Sequence, residues 1–512
     1  MTKRVAVIGA GIGGLVAIKE CLAAGLEPVC FESESYVGGL WHENENEELT
    51  RNTPMYKNLV INISRDILPF SDFPCPADWP TYLTRSYVSK YLDSYADHFN
   101  VRQHIHFNHR VNRVTQNPIT KRWTVRHVAV KKDGRTPHGE EIEETFDWVL
   151  VCTGHFQQPH VPVFEGVEKF KGMAIHVANY SDPEPFKGKK VLVVGPGTSG
   201  CDIAVQLSQV AEVYLSARSG TWLAPRLDPL NRPIDLAINR IIWSFPMWLQ
   251  DWYAANFLLP RPPGHLNPSH KFSAKWVPVA SSVFYERVAT GQILTTPEIL
   301  RFADNGRDIE FVDGTIVPDV DFVLYATGYG FRFEFIDPEV FTDGRVTAQD
   351  EFDGMRLKKN WWLWQGIIPP KYEGIAFIGL LEILLQVRYI ASLIAGRTLH
   401  PLPTPAEMDR QIVEFRKTIP RTHLVNYHPA FVNYFDWLAR EAAGAAPDAW
   451  AVVREHGMGT LMKVLTGPIT PVQWRLVGRD KWDGAKEVLE DVCQRFQGGI
   501  LDAQVTRRMT KK

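Results

Sequence analysis

The chain has 512 residues, 45% hydrophobic and 22% charged, a balance that excludes global disorder. Its 56 Lys and Arg against 58 Asp and Glu leave no basic excess for nucleic acid and no acidic solvating tail. Six cysteines (Cys21, Cys30, Cys75, Cys152, Cys201 and Cys493) without CxxC spacing exclude a disulfide scaffold and a Cys-rich zinc centre.

The N-terminus runs from Met-Thr-Lys-Arg directly into a β-branched stretch, Val5-Ala6-Val7-Ile8. No apolar leader precedes it, so no secretory signal and a cytoplasmic location are expected. The stretch opens into Gly9, Gly11 and Gly14 of a GxGxxG loop; a helix is predicted over Leu15–Ala24 and a second strand over Pro28–Glu32. The first glycine permits a tight turn, the second lets backbone approach a pyrophosphate, and the third allows close packing of helix on strand. Glu32, at the end of the second strand, accepts from a ribose hydroxyl pair and repels a 2′-phosphate, so this loop suits FAD or NAD.

Asp147 to Gly154 reads as a buried strand ending in Thr-Gly, and Asp321 to Gly328 repeats the device. Between them, Val191 to Gly200 repeats the first loop with Gly195, Gly197 and Gly200, a predicted helix over Cys201–Val210 and a strand over Glu212–Ser216. The acid position is read on Ser216, with Arg218 close by. With no carboxylate to oppose a 2′-phosphate and a guanidinium to pair with it, this loop suits NADP(H).

The fold expected is α/β: two Rossmann-like dinucleotide-binding domains, the NADPH domain inserted in the FAD domain, and a helical C-terminal tail. The boundaries expected are 1–162 and 329–402 for the FAD domain, 163–328 for the NADPH domain, with an aromatic-rich insertion at about 226–290, and 403–512 for the tail. Ile241 to Pro260 holds Trp243, Phe245, Trp248, Trp252, Tyr253 and Phe257. Packing on the core is the favoured expectation for it, with a membrane-surface or partner contact, such as a homodimer, as the alternative. Gly374 to Gly396 is the longest apolar stretch, but Glu382, Gln386 and Arg388 are costly in lipid, so a buried core helix is expected and no transmembrane segment. The end of the chain, Arg507 to Lys512, is too polar to anchor.

Two sites of different charge logic imply that NADPH reduces a flavin that carries out the harder chemistry. A disulfide reductase needs a redox cysteine pair; Cys21 and Cys30 point into packing instead. Dioxygen remains as acceptor.

Phe170-Lys171-Gly172-Met173-Ala174-Ile175-His176-Val177-Ala178-Asn179-Tyr180 fits FxGxxxHxxx(Y/F), and it lies between the two glycine loops. With Gly38-Gly39-Leu40-Trp41, Asp72-Phe73-Pro74, Tyr325-Ala326-Thr327-Gly328-Tyr329, Gly467 to Pro471 and Lys481 to Ala485, nearly the whole chain resembles the flavin-containing monooxygenases, class B flavoprotein monooxygenases of N-/S-oxygenating type. The resemblance implies that Gly9, Gly11, Gly13, Gly14, Glu32, Gly39, Leu40 and Trp41 hold FAD. Gly195, Gly197, Thr198, Ser199, Gly200, Ser216 and Arg218 would hold NADPH, and Asn62 would be the catalytic amide beside flavin and nicotinamide. His176 is expected to be structural, organising the interdomain turn. The implied activity is NADPH- and O2-dependent formation of a C4a-hydroperoxyflavin that oxygenates a soft nitrogen or sulfur of a small-molecule amine or sulfide. Baeyer-Villiger oxygenation of ketones is the first alternative and uncoupled NADPH oxidation to H2O2 the second. A protein whose nucleotide sites serve structure alone would bind no flavin. Departures from the family pattern are Thr198 in place of Asn, Ile61 and Ile63 in place of Thr, and no match to the apolar C-terminal anchor of animal members. Peripheral membrane association is therefore an open alternative.

Overall fold

The computed structural model describes residues 2–43, 55–228, 230–259, 264–269, 271–272, 279–345, 360–380, 383–417, 431–443 and 446–498. Two five-stranded parallel sheets organise these residues. The first has the order Ile375–Phe377, Trp148–Val151, Arg4–Ile8, Glu27–Glu32, Ile105–Phe107. The second has the order Ile293–Thr296, Glu212–Ser216, Lys190–Val194, Phe322–Tyr325, Met173–His176. In each, the strand feeding the glycine loop is central. It lies between its βαβ partner and the strand that ends in Thr-Gly. Val5, Ala6 and Val7, and likewise Val191, Leu192 and Val193, are fully buried. These are the continuous apolar runs of parallel sheets covered on both faces.

All strands of the second sheet fall between Trp148–Val151 and Ile375–Phe377, so one Rossmann-like unit is inserted in the other. The two chain crossings lie side by side as an antiparallel ribbon, Gln158–Pro159 against Tyr329–Gly330. Each unit also carries a three-stranded antiparallel meander: His109–Gln116, Trp123–Val130 and Pro137–Phe146 in the first, Ile299–Phe302, Ile309–Phe311 and Ile316–Val317 in the second.

Several sequence expectations need correction. The helices after the glycine loops are Ile12–Ala23 and Thr198–Leu207, starting three residues earlier than predicted. Each begins immediately after its second glycine because the loop itself supplies the N-terminal turn. The apolar stretch from Gly374 begins as the strand Ile375–Phe377 and only then forms the buried helix Leu384–Ile394. Short apolar runs of this kind do not distinguish strand from helix.

The larger correction concerns the aromatic segment. Its short helices Arg240–Ser244 and Met247–Tyr253, with the turn Ala254–Leu258 after them, leave Trp248 70%, Trp252 54% and Phe257 64% exposed. Pro246 separates the helices, and neither is long enough to turn one complete apolar face inward. Helix Met458–Thr466 packs beside the first of them and leaves Met458 and Met462 exposed. Pro260 and the polar end Arg507 to Lys512 lie outside the described residues. No helix among the described residues is long and apolar enough to cross a membrane.

The C-terminal region is helical and is tied back to the first glycine-loop helix by a buried charge cluster. Arg475 Nη2 lies 2.6 Å from Glu20 Oε1 and 3.0 Å from Asp72 Oδ2, and Lys19 Nζ is 2.9 Å from Glu20. Burial alone would raise the Glu20 carboxyl. The charges of Arg475 and Lys19 outweigh it and hold the group down at about 2.

Candidate active site

The two glycine loops have the same geometry. Gly9 and Gly195 take φ of +97° and +107°, the left-handed region open to glycine. A Cβ on Gly14 would stand 1.9 Å from Gly9 O, and one on Gly200 would stand 2.0 Å from Gly195 O, so helix and turn touch through hydrogen. Gly11 and Gly197 differ from these. A Cβ on Gly11 would meet only Gly39 Cα at 3.8 Å, and one on Gly197 would meet nothing within 4 Å. The first helical bonds run from Leu15 to Gly11 and from Cys201 to Gly197, so the N–H groups of residues 12–14 and 198–200 have no helical acceptor. Both loops therefore present an open cradle below a helix N-terminus, the form that takes a dinucleotide diphosphate.

Around the first cradle, the Gly38 N–H donates to Ala10 O at 3.0 Å, which lays the turn Gly39–Trp41, with Leu40, over the loop. Gly13 packs toward Cys152 and Ile378. Glu32 is buried, which pushes its carboxyl up, against N–H donation from Ala10 at 2.6 Å and Glu34 at 2.9 Å. The carboxylate is thus turned to the loop and keeps lone pairs for a ribose.

The second cradle has a different strand end. Gly9 N–H donates to Phe31 O, and the corresponding Gly195 N–H donates to Ser216 O. The residue matching Glu32 is therefore Ala217, not Ser216: Ser216 is the counterpart of Phe31, and the first unit's strand runs one residue further. Ser216 is buried and donates its hydroxyl to Pro297 O at 2.7 Å. No carboxylate stands there, and Arg218 is exposed two residues past Ser216.

Asn62 comes from the first unit, on a loop bridged at Val60 to Thr84. Ile61 beside it is buried, whereas Ile63 is 41% exposed, so only one of the two isoleucines makes the surroundings apolar. Sequence reasoning missed two residues of the segment after the second glycine loop that grip this loop. Arg226 Nη2 donates to Asn62 Oδ1 at 2.7 Å, and Asp235 Oδ2 accepts from Ser64 N–H at 2.6 Å. Neither belongs to a sequence motif; only the fold brings them across more than 160 positions.

His176 lies at the crossing ribbon. Its Nδ1 accepts from Ala178 N–H at 3.1 Å, so Nε2 carries the hydrogen and donates to Gly328 O at 3.1 Å. Burial lowers its pKa to about 4, keeping it neutral at physiological pH. Its contacts are structural: they fix its own turn at Ala178 to the second crossing at Gly328 and Tyr329. Cys21 and Cys30 are fully buried, and burial raises both thiols. Among the described residues no cluster suits a metal ion.

A family model described as flavin-binding monooxygenase-like matches residues 2–511. The chain is 32% identical to flavin-containing monooxygenase 5 of Oryctolagus cuniculus, covering 98% of this chain and 93% of that protein. In structure it is similar to the S-allyl-L-cysteine S-oxygenase of Allium sativum, with a TM-score of 0.63 at 22% identity, covering 97% of this chain and 99% of that one. An ε-caprolactone-bound cyclohexanone monooxygenase gives a TM-score of 0.60 at 18% identity, covering 90% and 99%.

Proposed function

From the premise that this chain belongs to the flavin-binding monooxygenase-like family, which uses FAD and NADPH, we propose that it oxygenates a soft nitrogen or sulfur of a small amine or sulfide. The observation that carries the two-cofactor basis of the proposal is the pair of matching cradles with one carboxylate between them: Glu32 at the first and none at the second. When bound, FAD supplies oxygen activation after reduction by NADPH. The chain's own residues bind and orient. N–H groups at residues 12–14 receive the FAD diphosphate, Glu32 accepts from its ribose, and Gly39, Leu40 and Trp41 cover it. Thr198, Ser199 and Gly200 receive the NADPH diphosphate, with Gly195, Gly197 and Ser216 shaping the cradle. Asn62 donates an amide N–H toward the reacting oxygen, and Ile61 helps keep water away. Such a reaction asks little of acid-base groups, since a soft nucleophile attacks directly.

Assay against tertiary amines, sulfides and ketones tests this, with product and H2O2 each measured per NADPH. N-oxide or S-oxide formation supports the proposal. Turnover of ketones alone to esters establishes the Baeyer-Villiger reading, and H2O2 alone the oxidase reading. One observation favours the Baeyer-Villiger reading. Ketone insertion proceeds through an anionic attacking group, and the Arg226 guanidinium beside Asn62 is the cation that such a group wants.

Arg218 is assigned to the 2′-phosphate of NADPH. Losing a charge-assisted pair of this kind costs about 1.5–3 kcal/mol. Steady-state kinetics of Arg218→Ala should accordingly show the KM for NADPH rising roughly ten-fold or more, with the KM for NADH little changed. Equal changes for the two nucleotides remove the assignment.

We further place the exposed aromatic face of Trp248, Trp252 and Phe257 against a lipid surface, the environment in which Trp and aromatic side chains are enriched. The protein should co-sediment with phosphatidylcholine–phosphatidylserine vesicles, and Trp248→Ala/Trp252→Ala should lower the bound fraction several-fold. A dimer in solution that the same double substitution dissolves, without vesicle binding, overturns this.

A further inference from the structure

We propose that Arg226 is a positioning residue for the reaction: its guanidinium locks the Asn62 carboxamide so that Oδ1 is engaged and Nδ2 is presented to the reacting centre. This rests on the assignment of Asn62 above. A carboxamide can be turned end for end with almost no change in shape, exchanging a donor for an acceptor. A guanidinium removes that ambiguity, because it has donors only. Arg226 Nη2 lies 2.7 Å from Asn62 Oδ1, and the turned amide would set N–H against N–H. The same Nη2 is 3.3 Å from Val60 O, so the guanidinium also fixes the backbone two residues before Asn62.

Arg226 is itself held. Its carbonyl accepts from the Tyr82 hydroxyl and from Ile234 N–H at 3.0 Å. Its guanidinium carbon lies 5.7 Å from the centroid of the Tyr82 ring. Asp202, on the helix of the second glycine loop, accepts from the Tyr56 hydroxyl at 3.1 Å. Burial raises the Asp202 carboxyl, and the charge of Arg226 works against that rise. The arginine thus brings the segment after the second glycine loop onto the amide contributed by the first unit. It couples the orientation of Asn62 to the two-unit arrangement in which both cofactors meet.

The test is a cycle of Arg226→Met, Asn62→Ala and the double variant, with Arg226→Lys as the conservative change. The first readout is oxygenated product per NADPH at saturating NADPH, a ratio that loss of active protein does not move. Arg226→Met should lower it about ten-fold, with the missing NADPH recovered as H2O2. Arg226→Lys should recover part of it, because an ammonium donates but lacks the planar fork. The double variant should match Asn62→Ala alone. A further ten-fold loss in the double variant overturns the proposal. The second readout is the urea-unfolding midpoint of the holoenzyme. Here the double variant should fall by less than the two single shifts combined, and additive shifts overturn the pairing. If wild-type protein yields only H2O2 with every amine, sulfide and ketone, the functional reading fails while the midpoint cycle still decides the pairing. If Arg226→Met does not fold, Arg226→Lys carries the same cycle.

Discussion

Gly11→Val should give a folded, colourless protein. Gly11 has φ −71° and ψ −167°, an extended conformation that valine adopts without strain. Its Cβ would touch only Gly39 Cα, at 3.8 Å, an ordinary van der Waals contact. The methyl groups would instead fill the cradle over the N–H groups of residues 12–14, where the FAD diphosphate belongs. Circular dichroism should remain native while the visible flavin absorbance is lost and activity with it. Gly14→Ala separates this effect from simple damage. Its Cβ would lie 1.9 Å from Gly9 O, an overlap that forces helix and strand apart and costs about 3 kcal/mol or more. That protein should fail to accumulate as folded material. A yellow Gly11→Val protein with the wild-type FAD content would show that the diphosphate does not lie over this glycine.

Asn62→Ala should have the opposite signature: FAD retained, NADPH still oxidised, product lost. The Asn62 side chain accepts from Arg226, and no hydrogen bond of either cradle runs through it, so both cradles should persist. Its carboxamide N–H is lost, and removing one preorganised donor at a reacting oxygen costs about 100-fold. Product per NADPH should fall by about that factor, with H2O2 making up the difference. Asn62→Asp distinguishes the donor from mere shape. A carboxylate next to Arg226 would form an ion pair and keep the position filled, yet it has no N–H to offer. It should therefore lose product as fully as alanine. Full product formation by Asn62→Asp would remove the donor role.

Much of this architecture is written locally. A β-branched run, three glycines at fixed spacing and a following helix constrain one another within about thirty residues, so both βαβ units are legible from the residues themselves. The repeated Thr-Gly strands reveal the second unit's insertion because each must lie beside its own glycine-loop strand. The rest depends on partners far away in sequence. The strand Trp123–Val130 shows the inside-outside alternation of a half-buried strand, but the pairing that makes it the centre of a meander is set by neighbours on either side. Glu32 and Ser216 each end the second strand of a βαβ unit, but Val194 pairs with Ser216 as Ile8 pairs with Phe31, so the acid position falls on Ala217. The aromatic segment looked like core because aromatic residues usually are. Two short helices interrupted by Pro246 cannot bury rings on every side. Arg226 carried no signal at all: a single arginine after a proline acquires meaning only when the fold sets it against Asn62.

The account requires that one atom of dioxygen end in the organic product while NADPH supplies the electrons that turn the other into water. Turnover under 18O2 with NADPH and an amine or sulfide measures this directly. One labelled oxygen per molecule of N-oxide or S-oxide, with one NADPH consumed for each, is the predicted result. Label found only in hydrogen peroxide, or product carrying oxygen from water, contradicts it.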